Sequence, residues 1–369
     1  MKKLIIISYD FPPQDGGIAR LCQEIAVGQQ QYFKEVSVLT TNKNGESYTY
    51  NFKQINRVEF TEQRIKCEIE IIKYLKCIRN KNEYIVLTAT WHPEGLLAYL
   101  GGFKNIFILA HGTELLSGNS FFRKNIWFPL YGKFLLKRAK GIVTNSNYTK
   151  KIVNSIHASS NIQALPLAVN ENFFKPLENK IKNKLFTICS VSRIEKFKGH
   201  DFIARVIANL PHSIKDRIQW NIAGKGPDLK YIQDLVKKLN LSKNVSFKGF
   251  VTDEELPNFY AQSDLFILCS REEKSSIAVE GFGLVFLEAQ SCGIPAIGTN
   301  SGGIPDAIEN GNGGFLIEQD NEEQLKTILL NLFNNPEILE KQKKLARNRV
   351  LNGFTWNHYN KKLFNILNQ

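Results

Sequence analysis

The densest group of residues able to do chemistry is Glu280-Gly281-Phe282-Gly283-Leu284-Val285-Phe286-Leu287-Glu288. Gly281 and Gly283 permit a ligand to approach the backbone closely. If a helix opens at Gly283, the N–H groups of Gly283, Leu284, Val285 and Phe286 face an anion, aided by the helix dipole. Glu288 then lies just over one turn inside the helix, in reach of a hydroxyl-bearing group beside that anion. Glu280 precedes the helix on a loop. Two carboxylates around a phosphate site suit a sugar nucleotide, one for ribose hydroxyls and one for the hexose. Taken as a bare pattern, the same residues also fit a glycine-rich helix start with a capping Glu.

A second element, Ser192-Arg193-Ile194-Glu195-Lys196-Phe197-Lys198-Gly199, carries three cations in six positions after an apolar run. Arg193 offers a planar fork and Lys198 a point charge, so together they can neutralise a diphosphate. A solvated basic turn is the plainer alternative. Gly224-Lys225-Gly226-Pro227 and Ser301-Gly302-Gly303-Ile304-Pro305 are further glycine turns between an apolar run and a helical pattern. Nearer the start, Asp10-Phe11-Pro12-Pro13-Gln14-Asp15-Gly16-Gly17 follows the first apolar run. There the Gly17 amide can meet a phosphate, or the turn is simply tight. His111-Gly112-Thr113-Glu114 follows another such run. His111 is placed to act near a reacting hydroxyl, although a lone histidine is commonly structural.

These residues need elements to hold them, and the chain supplies a regular alternation. Short apolar runs predict strands at 4–8, 35–40, 84–89, 106–110, 142–145 and 163–165, then at 185–191, 219–223, 245–248, 265–269, 295–299 and 314–317. Amphipathic stretches predict helices at 17–31, 63–80, 122–140 and 147–156, then at 199–209, 227–239, 253–261, 283–292, 324–334 and 336–350. Strands alternating with helices of about 10–15 residues indicate βαβ units and parallel sheets. The rhythm pauses once, at 168–184, which is polar, rich in Asn and Lys and contains Pro176. The expected architecture is α/β, with two Rossmann-like doubly wound domains facing a central cleft. Their expected bounds are 1–168 and 169–353, with 354–369 crossing back onto the first.

Composition sets limits. With 369 residues, 43% hydrophobic and 22% charged, the chain suits two ordinary globular domains and excludes disorder. The most apolar window, 84–103, is interrupted by His92, Pro93 and Glu94 and falls short of a membrane span. Lys2 and Lys3 precede an apolar run too short for a secretory segment, so a cytosolic protein is expected. Its six cysteines form no CxxC pair or zinc spacing and read as reduced structural thiols. The charge is 48 − 35 = +13. Residues 1–170 hold 22 Lys/Arg against 12 Asp/Glu (+10) and residues 171–369 hold 26 against 23 (+3). Such a field attracts nucleic acid, an anionic membrane or a phosphorylated substrate.

Arg193…Lys198-Gly-His-Asp, Ala-Gly-Lys-Gly-Pro, Glu280-x7-Glu288 and Ser-Gly-Gly-Ile-Pro together resemble the retaining glycosyltransferases of family four, of GT-B architecture. The opening Asp-Phe-Pro-Pro-x-x-Gly-Gly and the phrase from Val279 to Gln290 are most similar to the branch containing phosphatidylinositol mannoside mannosyltransferases. The resemblance implies a nucleotide-sugar donor held mainly by the second domain and an acceptor held by the first. Carried over by motif, Arg193 and Lys198 bind the donor diphosphate, Glu280 the sugar hydroxyls and Glu288 the ribose. Phe282, Gly283, Leu284 and Val285 belong to the same donor loop. The base rests near Gly249-Phe250-Val251, Gly16 and Gly17 approach the diphosphate, and His111 lies against the transferred sugar. No cofactor and no divalent metal is implied, and the sequence has no Asp-x-Asp motif. Segment 271–279 is longer than in many members of the family, which limits the transfer of sugar contacts.

The function expected is transfer of a hexose from a UDP- or GDP-sugar, with retention, to an acceptor such as a lipid-linked glycan. A sugar-nucleotide epimerase or hydrolase of the same fold is the alternative. A nicotinamide dehydrogenase is disfavoured because the first turn lacks GxGxxG. Nucleic acid is not an expected partner, since the basic residues are not interleaved with a recognition motif. Residues 121–140 instead carry six basic residues, six aromatics and no acidic residue, and 64–79 add five more cations. These point to peripheral docking on the anionic inner face of the plasma membrane.

Overall fold

A computed structural model describes residues 1–14, 16–41, 55–159, 161–178, 184–272 and 278–369. Asp15 of the first turn, part of the 168–184 pause and the middle of segment 271–279 lie outside the described residues. The chain forms two compact units, Met1–Leu165 with Trp356–Gln369, and Pro166–Thr355.

The first unit is built on a seven-stranded parallel sheet of β1 (Lys3–Ile7), β2 (Val36–Thr41), β3 (Ile55–Phe60), β4 (Tyr84–Thr88), β5 (Ile106–Ala110), β6 (Gly141–Thr144) and β7 (Ile162–Ala164). The order is β3-β2-β1-β4-β5-β6-β7. The second unit holds β8 (Phe186–Val191), β9 (Ile218–Ala223), β10 (Val245–Gly249), β11 (Leu265–Leu268), β12 (Ala296–Thr299) and β13 (Gly314–Ile317), also all parallel. Their order is β10-β9-β8-β11-β12-β13. Both sheets reverse direction of winding once, between β1 and β4 and between β8 and β11, which is the doubly wound Rossmann-like pattern.

The central strands are continuous apolar runs because helices cover both sheet faces and leave no wet side. In β11 all four residues, Leu265, Phe266, Ile267 and Leu268, are wholly buried. They alternate between two cores: Leu265 and Ile267 join Trp220 and Phe202 on one face. Phe266 and Leu268 join Tyr260 and Phe286 on the other.

Besides short helices such as His212–Lys215 and Ile304–Ala307, three larger elements differ from the sequence expectation. Strand β3 was not anticipated: Ile55-Asn-Arg-Val-Glu-Phe60 is an edge strand with no fully buried residue, so it shows no apolar run. The window around His92 contains a seven-residue helix, Glu94–Leu100, behind strand β4. The helix expected at 122–140 is π-helical over Arg123–Gly132 and α-helical only over Lys133–Leu136. Pro129 sits inside the π-helical stretch and has no N–H to offer a regular ladder.

The final helix, Trp356–Leu367, belongs to the first unit. Gln29 donates from Nε2 to both the backbone and side-chain oxygens of Asn360, each at 2.9 Å. Phe364 stacks on Tyr32 with ring centroids 4.6 Å apart. All six cysteines are free thiols; five are buried and Cys77 is exposed.

Candidate active site

In an open parallel sheet, ligands collect beyond the carboxyl ends of the strands at the point where winding reverses. In the second unit that point is flanked by the loops following β8 and β11. The loop after β8 makes a short 3-10 turn, Lys196–Lys198, and the loop after β11 leads to Glu280 and the helix Leu284–Ser291. Lys198 and Glu280 meet there, with Nζ 2.7 Å from Oε2 and side chains only 15% and 17% exposed. Two residues 82 positions apart thus form one ion pair at the switch point.

Gly283 starts the helix with φ 89° and ψ 62°, a left-handed conformation costly for any residue with a Cβ. A Cβ there would also come within 2.5 Å of the Phe286 ring. The helix therefore has to begin on glycine. The N–H of Phe286 donates to the Gly283 carbonyl at 3.0 Å, so the expected row of four anion-facing amides shortens to those of Gly283, Leu284 and Val285. The Phe282 ring is 2% exposed and packs in the core, so of this residue only the backbone can face a ligand.

The Glu280–Gly281 segment is held from behind by the turn after β12. The Gly303 N–H donates to the Glu280 carbonyl at 2.8 Å. A Cβ on Gly303 would lie 2.0 Å from the Gly281 carbonyl oxygen, so the two loops can nest only because that position is glycine. The Lys198 turn is braced by Arg271, whose guanidinium bonds Asp201 at 2.8 and 3.2 Å, Asp320 at 2.7 Å and the Lys196 carbonyl at 3.1 Å. Those bonds outweigh burial and push the Arg271 guanidinium up from its ordinary value. Arg271, together with Arg205, whose Nη2 lies 2.8 Å from Asp201 Oδ2, holds the Asp201 carboxyl below the usual carboxylate range against its own burial. The sequence offers no signal for this brace, since its members come from three segments far apart in the chain, around Asp201, Arg271 and Asp320.

The remaining expected residues are placed as follows. Arg193 is on the surface, 76% exposed, and pairs with Glu195 at 2.9 Å. Glu288 is 7% exposed and accepts a hydrogen bond from the Tyr260 hydroxyl at 2.8 Å. Gly249 ends the edge strand β10 with φ 68°, followed by Phe250, whose ring is 69% exposed, and half-buried Val251.

Gly16, Gly17 and His111 belong to the first unit. Gly16 precedes the helix Gly17–Gln29 with φ 141°, and a Cβ at either glycine would meet open space. His111 follows β5, where its Nε2–H donates to the Ala89 carbonyl at 2.7 Å. That bond fixes the ring and leaves Nδ1 as the lone-pair nitrogen of the neutral imidazole. Beside the switch point of this sheet lies a carboxyl the sequence did not single out. Glu94 is 4% exposed, accepts from the Tyr9 amide at 3.4 Å and the Thr90 hydroxyl, and burial pushes its pKa up to about 7. Among the described residues no three His, Cys, Asp or Glu side chains gather as a metal site.

Chemically, the second unit offers a cation, three helix-start amides and two carboxylates around one loop. Residues 171–349, nearly all of this unit, match the model of the family described as Glycosyl transferases group 1. Over the whole chain, a GDP-mannose-dependent alpha-(1-6)-phosphatidylinositol monomannoside mannosyltransferase of Mycolicibacterium smegmatis is 24% identical, with 99% of this chain and 98% of that protein covered. A GDP-mannose-dependent monoacylated alpha-(1-6)-phosphatidylinositol monomannoside mannosyltransferase of Corynebacterium glutamicum is also 24% identical, at 99% and 98% coverage. Among solved structures, Anabaena Alr3699/HepE in complex with UDP and glucose aligns with a TM-score of 0.77 and 18% identity over 100% of both chains, a likeness of fold.

Proposed function

From the premise that this chain is a group 1 glycosyltransferase of GT-B architecture, related to the phosphatidylinositol mannoside mannosyltransferases, we propose that it moves a hexose from a UDP- or GDP-sugar to a lipid-linked acceptor with retention. The observation that carries this reading is the 2.7 Å Lys198–Glu280 pair beside the Gly283 helix start at the switch point of the second sheet.

In this reading the second unit holds the donor. Cleavage of the anomeric C–O bond puts negative charge on the leaving diphosphate and positive character on the sugar. Lys198, Arg193 and the amides of Gly283, Leu284 and Val285 stabilise the diphosphate, and one such donor is typically worth about 10²–10³ in rate. As the diphosphate takes over the Lys198 ammonium, Glu280 is released to accept hydrogen bonds from the sugar hydroxyls. Glu288 receives the ribose, and exposed Phe250 offers a ring face to the base. The acceptor hydroxyl attacks on the face the diphosphate leaves. Its oxygen bonds the anomeric carbon and its proton passes to the departing phosphate oxygen. The first unit binds the acceptor and contributes the Gly16–Gly17 turn and His111. Cationic neutralisation by the chain's own side chains supports a reaction that needs no metal.

A lipid-linked acceptor implies a surface on which to meet it. Phe121, Phe122, Ile126, Leu130 and Phe134 are 40–76% exposed, interspersed with Arg123, Lys124, Lys133 and Lys137. Each basic residue near an anionic surface contributes about 1 kcal/mol, and the apolar side chains can insert shallowly. No helix among the described residues is long and apolar enough to cross a membrane. We place the protein peripherally on the cytoplasmic face of the plasma membrane.

The test is a panel of UDP-, GDP- and ADP-sugars, read first by thermal stabilisation and then by product analysis with labelled donor. The reading expects one nucleotide to stabilise the protein and label to pass into a glycolipid. Free labelled sugar or an epimerised donor as the sole product would replace it with a hydrolase or an epimerase.

A further inference from the structure

Glu288 sits where packing alone would place a leucine. Its neighbours on the helix Leu284–Ser291, Phe286, Leu287 and Ala289, are wholly buried core residues. A carboxylate in such surroundings is costly unless hydrogen bonds hold it. One of them comes from Tyr260, on the six-residue helix Leu256–Ala261 before β11. Tyr260 is wholly buried, and its ring is enclosed by Phe266, Phe174 and Phe259 at centroid distances of 5.8, 6.1 and 6.4 Å. A ring confined in this way cannot swing, so its hydroxyl proton has a fixed address, Oε2 of Glu288. Burial and the adjacent carboxylate raise the Tyr260 hydroxyl well above its ordinary value, and it remains a donor throughout the working pH range.

We infer that Tyr260 is a positioning residue for nucleotide recognition: it pins Glu288 in one rotamer so that the carboxylate selects a donor bearing ribose hydroxyls. This rests on the reading in which Glu288 receives the donor's ribose. The physical logic is that of a prepaid arrangement. A carboxylate already oriented by an immobile tyrosine loses no side-chain freedom when the ribose arrives, whereas an unpinned one must be ordered at that moment. A site built to receive hydroxyls also leaves its buried carboxylate under-bonded when they are missing, which is what makes it discriminate. Tyr260 touches neither the diphosphate nor the sugar in this scheme, so its loss should alter ribose selectivity while leaving the phosphate contacts intact.

The experiment is isothermal titration of the full chain with UDP, GDP and ADP and with the 2′,3′-dideoxy form of each. The unsubstituted protein is expected to bind its preferred nucleotide at least about 10-fold more tightly than the dideoxy form, the strength of a hydrogen bond to a charged group. Tyr260→Phe keeps the ring and should shrink that ratio to about 3-fold or less, with affinity for the dideoxy nucleotide unchanged. Glu288→Gln, which can still accept from Tyr260, should lose selectivity by itself, and adding Tyr260→Phe to it should cost little more. An unchanged ratio in Tyr260→Phe overturns the inference and leaves the donor reading intact. An equal loss for both nucleotide forms also overturns it, since a packing role alone produces that result. Absence of binding by any of the three nucleotides to the unsubstituted protein removes the donor reading and this inference with it.

Discussion

Removing the charge on Glu280 should free Lys198 for the donor, an outcome opposite to that of removing Lys198 itself. The two side chains are 2.7 Å apart and largely buried, so the ammonium already has a charged partner. A diphosphate has to compete for it. A hydrogen bond between charged groups is worth about 1.5–3 kcal/mol, or roughly 10- to 100-fold in binding. Lys198→Met forfeits that contact and should raise the dissociation constant for free UDP or GDP by about 10- to 100-fold. It should also destabilise the fold by about 2 kcal/mol, below the roughly 3–5 kcal/mol of a fully enclosed pair, because it strands the Glu280 carboxylate. Glu280→Gln removes the charge and leaves the ammonium only a weaker amide-oxygen acceptor, so affinity for the free nucleotide should hold or tighten by up to about 10-fold. Turnover should still fall by at least about 10-fold, since the carboxylate serves the sugar. Glu288→Ala should weaken nucleotide binding as Lys198→Met does. Isothermal titration with the free nucleotides and initial rates with the sugar donor separate these effects. Loss of nucleotide binding in Glu280→Gln with Glu288→Ala unaffected would reverse the two carboxylates' roles and refute the reasoning.

Turnover should survive excess EDTA, and abolition by the chelator with restoration by magnesium or manganese would show that the cationic side chains are insufficient. The protein should co-sediment with anionic vesicles, lose binding as salt rises, and bind several-fold more weakly after Phe121→Ser and Leu130→Ser together; equal binding to neutral vesicles would count against electrostatic docking. Burial raises the Glu94 carboxyl from 4.5 to about 7, so the folded state holds a proton that the unfolded state releases between those values. Folding stability should therefore fall as pH rises from about 4.5 to 7, by about 3 kcal/mol at most. Glu94→Gln should flatten that slope in denaturant titrations at pH 5 and pH 8, and a slope equal to that of the unsubstituted protein would place its origin elsewhere. A Cβ on Gly28 would lie 2.1 Å from Asn360 Nδ2, which also donates to Glu24 and Trp356, so Gly28→Ala should lower stability by about 1–3 kcal/mol. Asn360→Ala in that background should cost less than it does alone if the clash is real.

The residue pattern by itself determined the strands of both sheet interiors, because a strand covered on both faces must be apolar along its whole length. The interior strands β8, β11 and β12 of the second sheet could be read that way. The sites of its loops followed too, because parallel strands joined by helices must all present their carboxyl ends on one edge. Edge strand β3 escaped because half of it is polar, and the π-helical turn of Arg123–Gly132 escaped because apolar spacing does not report hydrogen-bond register. Which residues meet was decided only in three dimensions. Lys198 and Glu280 are 82 positions apart, Arg271 and Asp201 70, Tyr260 and Glu288 28. Periodicity records whether each residue faces the core or water, one residue at a time. A hydrogen bond depends on the relative placement of two atoms to within tenths of an ångström, and that placement exists only once separate loops have been packed against the same strands.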